Sequence, residues 1–502
     1  MKNFRYILSS IVLLAVVFTA CDTVDFGDTN VDDDSVTEAN TEGLMAGAMN
    51  RYATLAGGAY LSTPTLYAQY QSQAVYTSAQ RYGASPSSWD GYYVQTLSNL
   101  NEIIEITTAD EVDEITKSYG APVNQANVAE LMSVLIWKRV TDTWGPVPYT
   151  NALGKGETLT PEYTDQETIY KDLISRAKSA RDALNASLDG PTGDAFYGGD
   201  VNKWKRFANS FILNLSMQLS KKYPGASGYA ATEFSSALSN GAGLIENIDQ
   251  EMWYDYANQS GMENPFSLYR GADYFFSEPL DRAMRGISDG SVIDYSNDQY
   301  DDRLNVFSSD TSLPGRPYGY ESLSGGSYSS MSERVRGTAG TLPYFTAAKT
   351  YLLRAEAAEL GWTSENSSNM LQNGIEMSYA TVEAHWDDGD SSTGMLQSDG
   401  TQYALDRIAD AATSGASMRQ VINEEIWIAV YPMGYQAWSN WRRTDYPGLQ
   451  PAPDAINNGE IPRRFIYPGN ESGVNSQSYN SALDMLSPSE DGINSRFWWD
   501  QQ

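Results

Sequence analysis

The sequence predicts a mostly α-helical protein with one long irregular, loop-rich insert and an irregular C-terminal region. Three observations carry this. Apolar residues recur at helical spacing from Leu44 to Trp438. The tract of about 253–342 breaks that rhythm with Gly, Ser, Asp and Tyr. Residues 442–502 are rich in Pro, Gly and Asn, which punctuate rather than propagate helices.

Taken in order, Leu44, Ala48 and Tyr52 mark a first helix, and Tyr67, Tyr70 and Ala74 a second. A third spans Trp89 to Ile106 through Tyr93, Leu97, Leu100 and Ile104. Leu131, Val134, Leu135 and Val140 line another. Ile169, Leu173, Ala177, Ala180 and Leu184 form an amphipathic face, with Asp165 near its N-terminus. Phe207, Phe211, Leu215 and Leu219 make an i, i+4 stripe that stops at Pro224-Gly225. Tyr344–Leu360 and Met370–His385 flank Gly361-Trp362, and Met418–Trp438 closes the series. The pairs near 128–185, 203–240 and 344–385 read as tetratricopeptide-like helical hairpins, although no strict repeat period is visible. Residues 41–502 are expected to form one domain, since no linker divides them. An irregular tract as long as 253–342 is usually functional.

The N-terminus has the layout of a secretory signal peptide over residues 1–20. Lys2 and Arg5 precede an apolar run from Ile7 to Phe18, broken only by Ser9 and Ser10. Thr19 and Ala20 lead to Cys21, the only cysteine. A lipoprotein signal peptidase needs a cysteine just after its cut, so Cys21 is the expected site of lipid attachment. The other reading is an uncleaved anchor. One cysteine permits no intrachain disulfide and no cysteine cluster for a metal. Residues 21–40 read as an acidic flexible tether through Asp22, Asp25, Asp28 and Asp32–Asp34. A sharper reading makes this stretch an export tag. Without the signal, 31 basic residues face 64 acidic ones, a net charge of −33. Such a body disfavours nucleic acid and anionic lipid as partners, leaving the lipid anchor as its link to the membrane. The 34 Tyr and 12 Trp supply flat apolar faces with polar tips, which suit sugar rings as well as a core.

No constellation of catalytic residues stands out. Gly286-Ile-Ser288-Asp-Gly290 matches a nucleophile elbow, but it follows a helical stretch instead of a strand. His385 is the only histidine, so a transition-metal site lacks ligands. Asp387-Asp-Gly-Asp390 suits calcium in ligand type but lacks the spacing of an EF-hand, and a polar turn is the simpler reading. Gly154-Lys-Gly156 lacks the spacing of a phosphate loop. The expectation is a protein that is not an enzyme and has no cofactor, calcium being the one open case.

Four segments resemble one family. The first is Asp142-Thr-Trp-Gly-Pro-Val-Pro-Tyr149 with Asn151-Ala152, and the second Leu352-Leu-Arg-Ala-Glu-Ala-Ala-Glu-Leu-Gly361. The third is Glu424-Glu-Ile-Trp427 with Gly434–Trp441. The fourth is Arg442-Arg-Thr-Asp-Tyr-Pro447, continuing to Ile461-Pro-Arg-Arg464, Tyr467-Pro468, Glu471 and Asn475. In this order, after a lipoprotein signal, they resemble the SusD/RagB-type nutrient-binding outer-membrane lipoproteins of Bacteroidetes, and the second SusD-like subgroup in particular. The resemblance implies a tetratricopeptide-like scaffold. It implies a surface-exposed, lipid-anchored outer-membrane protein that captures a nutrient, a glycan or else a peptide, for a SusC-like TonB-dependent transporter. It implies capture without bond cleavage.

The motif residues themselves read as structural. Trp144, Pro146, Pro148 and Tyr149 are expected to fix a turn. Arg442, Arg443, Arg463 and Arg464 are expected to pair with carboxylates such as Glu424, Glu425 and Glu471. Candidate ligand residues rest on chemistry instead, aromatic faces beside polar groups. They are Tyr82 and Trp89 around the loop 83–88, and Asp273, Tyr274, Arg316, Tyr318, Tyr320 and Tyr328 in the insert.

Overall fold

The computed structural model describes residues 40–154, 158–386 and 397–501. The signal peptide, Cys21, the tether up to residue 39, most of Gly154-Lys-Gly156 and the turn Asp387–Asp390 lie outside the described residues. Thr41–Gln502 forms one compact unit.

Among the described residues, eleven helices reach ten residues. They are α1 (Thr41–Thr54), α2 (Ser98–Thr107), α3 (Pro122–Trp144), α4 (Gln166–Ala183), α5 (Val201–Gln218) and α6 (Tyr229–Leu238). After the insert come α7 (Ala347–Glu359), α8 (Ser367–Trp386), α9 (Gln397–Thr413), α10 (Met418–Ala429) and α11 (Gly434–Thr444). Side-chain caps set several of their starts. The Asp165 carboxylate accepts from the Thr168 N–H at 2.9 Å, and Asp200 accepts from Asn202 and Lys203. Each such cap is worth about 1 kcal/mol.

Helices adjacent in sequence pack on one another: α3 on α4, α4 on α5, α5 on α6, then α7 on α8 and α8 on α9. This is the stacking of a tetratricopeptide-like scaffold. The predicted stripe Phe207, Phe211, Leu215 and Leu219 is at most 3% exposed. Burial of each such side chain stabilises by about 1.5–3 kcal/mol. The helix α3 is enclosed on nearly every side, so even Lys138, Arg139 and Asp142 are buried. It stops where Gly145 takes φ 94°, a left-handed conformation natural to glycine. A Cβ there would also lie 2.8 Å from the Phe497 ring.

Among the described residues, eight short strands make four two-stranded antiparallel ribbons. They are β1 (Gln71–Gln73), β2 (Val147–Pro148), β3 (Tyr163–Thr164), β4 (Met252–Asp255), β5 (Tyr274–Phe276), β6 (Ile293–Asp294), β7 (Thr341–Phe345) and β8 (Gly448–Leu449). β4 pairs with β7, so the two ends of the insert are clasped side by side. From inside the insert, β5 reaches back to β1 and β6 reaches forward to β8.

Two helical expectations need correction. The helix at Tyr67 ends there, and Gln71–Gln73 is the strand β1, because its backbone is claimed by β5 some two hundred residues away. The predicted helix from Trp89 begins at Asp90 and carries a π-helical stretch over Tyr93–Leu97 before α2.

Candidate functional site

The β1/β5 ribbon gathers most of the sequence-predicted residues. Ser72 pairs with Phe275 and Gln73 with Tyr274. Gln80 fixes the loop after β1: its carboxamide accepts from the Gln73 N–H at 2.8 Å and donates to the Gln73 carbonyl at 3.0 Å and the Tyr320 carbonyl at 3.2 Å. Thr77 donates to the Glu321 carbonyl, and Arg81 forms an ion pair with Glu321 at 2.9 Å. The loops 74–81 and 316–328 are thereby tied to one edge of the ribbon.

Arg316 organises the centre. Its N–H donates to the Phe276 carbonyl at 2.8 Å, and its Nε donates to the Gln73 carbonyl at 3.3 Å. The guanidinium lies 5.2 Å from the Tyr328 ring and 5.5 Å from the Phe275 ring, within cation–π range. Burial holds Arg316 below its ordinary pKa. Tyr274 stacks on Tyr269 at 5.0 Å, and its hydroxyl accepts from Gln73 Nε2 at 3.1 Å. Asp273 sits beside it, its carbonyl accepting from the Ala74 N–H, with Arg270 3.6 Å from its carboxylate.

The outer rings are open. Tyr320 is 37% exposed, and Tyr76 is 84% exposed with a left-handed φ of 54°. Tyr76 escaped the sequence reading, because nothing local in Ala74-Val-Tyr76 foretells a backbone that turns its ring outward. Half-exposed aromatic faces beside Gln, Asp, Arg and Glu side chains can cover the C–H face of a sugar and hydrogen-bond its hydroxyls.

Three predicted residues stand differently. Tyr318, at 6% exposure, and Tyr82, at 1%, lie beneath this face. The Tyr82 ring packs on Tyr67 at 6.0 Å, and its hydroxyl accepts from the Ala452 N–H. Trp89 is away from the face altogether. The loop 83–88 does not present it: it is buried against Trp144 at 5.8 Å, Tyr163 and Tyr467.

The elements around Ser288 are the reverse of an elbow, with a helix over Glu278–Met284 before it and the strand β6 after it. The Ser288 hydroxyl accepts from the Tyr295 N–H at 3.1 Å, while His385 stacks flat on Trp253 at 3.7 Å. No group of three or more His, Cys, Asp or Glu suited to a metal occurs among the described residues. Glu251 is a buried carboxyl with no cation within ion-pair distance among the described residues. It accepts from Trp253 Nε1, Thr381 Oγ1 and the Ala347 N–H at 2.7–2.9 Å, and burial still pushes it up to about 7.

The profile of the SusD-like_2 family, described as "Starch-binding associating with outer membrane", matches residues 33–468. The chain belongs to this SusD-like family. Solved structures share the fold. A chitin-binding protein aligns with TM-score 0.74 at 22% identity, over 92% of this chain and 100% of its own. A SusD homologue of Bacteroides fragilis NCTC 9343 aligns with TM-score 0.73 at 21% identity, over 93% and 100%. A chitin-binding SusD homologue from Flavobacterium johnsoniae gives 0.73 at 21%, over 92% and 99%. No curated protein matches the chain significantly.

The SusD-like motifs turn out to be sewn to one another, with partners other than those expected. Arg443 pairs with Glu356 through two bonds of 2.7 and 2.6 Å, joining the Arg-Arg segment to the Leu352–Gly361 helix. Arg442 donates to the Trp438 and Arg463 carbonyls, and Arg463 pairs with Asp445 and Asp500. Arg464 pairs with Asp491 at 2.6 Å and donates to the Trp144 carbonyl, while the Tyr467 hydroxyl donates to the Pro146 carbonyl. Glu424 and Glu425 instead meet Arg407, and Glu425 also meets Arg303. Glu471 accepts from the Tyr163 hydroxyl. Spacing along the chain carries no record of these pairings, which join segments up to some three hundred residues apart.

Proposed function

We propose that the SusD-like chain is a surface lipoprotein, anchored through acylated Cys21, that captures an oligosaccharide on the β1/β5 face. It then delivers that sugar to a SusC-like TonB-dependent transporter without cleaving it. The observation that carries this reading is the set of aromatic residues on and around the ribbon, the exposed Tyr76 and Tyr320 and the part-buried Tyr274 and Tyr328, together with Gln73, Asp273 and Arg316. Two solved relatives described as chitin-binding make chito-oligosaccharides the first ligands to try. No helix among the described residues is long and apolar enough to cross a membrane, so Cys21 is the anchor in this reading. No cofactor is needed for capture.

The test is calorimetric titration with a glycan panel, run beside product analysis by mass spectrometry. Binding without products, weakened by Tyr76→Ala and Tyr320→Ala, supports the proposal. Released products would turn the chain into a hydrolase. Failure of every glycan, with a transporter still co-purifying, would move the cargo to a peptide.

A further inference from the structure

The centre of the scaffold holds a cavity of about 40 Å³ between α3, α5, α7, α10 and α11. This is several times the roughly 10–15 Å³ that a single water needs. Its lining is cationic to an unusual degree. Lys138, Arg139, Lys349, Arg442 and Arg443 border it, and Asp142 is the only carboxylate among the lining residues. All five cations are at most 8% exposed.

Partners account for two of them. Lys138 pairs with Asp142 at 2.6 Å, and Arg443 pairs with Glu356 behind the wall. Asp142 has little left to give, since it also accepts from Tyr170 and from Ser439. The other three have no carboxylate within ion-pair distance among the described residues. Arg442 donates to two backbone carbonyls. Lys349 donates to the Gln436 side-chain carbonyl at 2.6 Å, and burial beside Lys138 and Arg443 pushes its pKa well down, a shift that an anion in the cavity would oppose. Arg139 lies 3.8 Å over the Tyr435 ring and 5.5 and 5.6 Å from the Tyr52 and Tyr92 rings, yet its Nε, one terminal nitrogen and both of those hydroxyls are buried outside hydrogen-bond geometry with any partner among the described residues. The cation–π contact offsets only part of what burial of a guanidinium costs. Unfilled donors on a buried cation point to an acceptor, and the surplus of positive charge points to a negative one.

We propose that this cavity is a structural site for one small inorganic anion, chloride by size and charge, held by Arg139 and Lys349. The anion satisfies the orphan donors and balances the buried charge, so it is a part of the folded scaffold. The site is separate from the β1/β5 face.

Two measurements test this together. Crystals soaked in sodium bromide should show an anomalous peak inside the cavity. Thermal unfolding of the intact soluble body should give a Tm higher by roughly 1–3 °C in sodium chloride than in sodium gluconate at equal ionic strength. Lys349→Met should abolish that difference. Should it fail to fold, Arg139→Gln serves as the second variant, and the bromide soak of the unaltered protein stands on its own. A cavity that holds only water in bromide-soaked crystals overturns the proposal. So does a chloride effect that persists undiminished in the variants.

Discussion

In the helical scaffold, Tyr70 donates to the Trp427 carbonyl, Tyr170 to Asp142 and Tyr295 to Glu425, and each ring is buried. On the β1/β5 face, Tyr76 and Tyr320 turn their rings to solvent. The same contrast runs through the cations. Arg303 and Arg407 are wholly buried and saturated by Asp301, Asp410, Glu424 and Glu425, while Arg316 shares its charge with two half-exposed rings. Abundance of Tyr and Arg therefore says little about role. What separates structure from recognition is whether each group's bonding capacity is filled by the protein itself.

If that division holds, stability and capture should respond to different residues. The largest effect is expected from Glu425→Gln, which weakens the compensation of two buried guanidinium groups. It should cost about 3–5 kcal/mol in denaturant unfolding and leave the affinity of the folded fraction unchanged. A parallel loss of affinity would break the comparison.

Next comes the pH dependence of Glu251. Its folded pKa, about 7, is raised above the ordinary 4.5, so the folded state favours the protonated form. Stability from this group is full below about pH 4.5 and falls as pH rises towards 7, by about 3 kcal/mol in all. Comparing the protein with Glu251→Gln across pH 4.5–7.5 should isolate this slope. Glu425 carries the opposite sign: burial would raise its pKa, but Arg303 and Arg407 outweigh burial and hold it low. Its contribution is present above the ordinary carboxylate range and is lost as pH falls through the depressed value.

The smallest change in stability is expected on the face. Tyr76→Ala should move unfolding by no more than about 0.5 kcal/mol. It should weaken glycan binding by about 1–2 kcal/mol, roughly 5–30-fold in Kd. An unchanged Kd with Tyr76→Ala and Tyr320→Ala together would remove the ribbon as the capture surface.

Much of the scaffold was legible because its signals are local. The i, i+4 stripe of Phe207–Leu219 and the cap at Asp165 depend on residues a few positions apart. The face was legible only in part. Asp273, Tyr274, Arg316, Tyr320 and Tyr328 stood out as aromatic and polar residues in an aperiodic tract. Their meeting point did not, because β1 supplies it from two hundred residues away. Trp89 misled for the same reason: a Ser/Pro loop suggests display, whereas Trp144 and Tyr467 draw the ring inward. The arginine partners were hidden too, since 64 acidic residues offer many choices and only three-dimensional proximity selects among them.

The clasp of β4 on β7 has an evolutionary consequence. Because the excursion from 253 to 342 leaves and returns at one doorway and is pinned inside by β5, β6 and Arg303, its outer loops, such as 317–328, can lengthen, shorten or be exchanged while the helices on either side keep their register. Doubling a flexible loop costs only about 0.6 kcal/mol in closure entropy. A lineage meeting a new sugar can therefore rewrite those loops, and the rings they carry, without renegotiating the architecture that holds them.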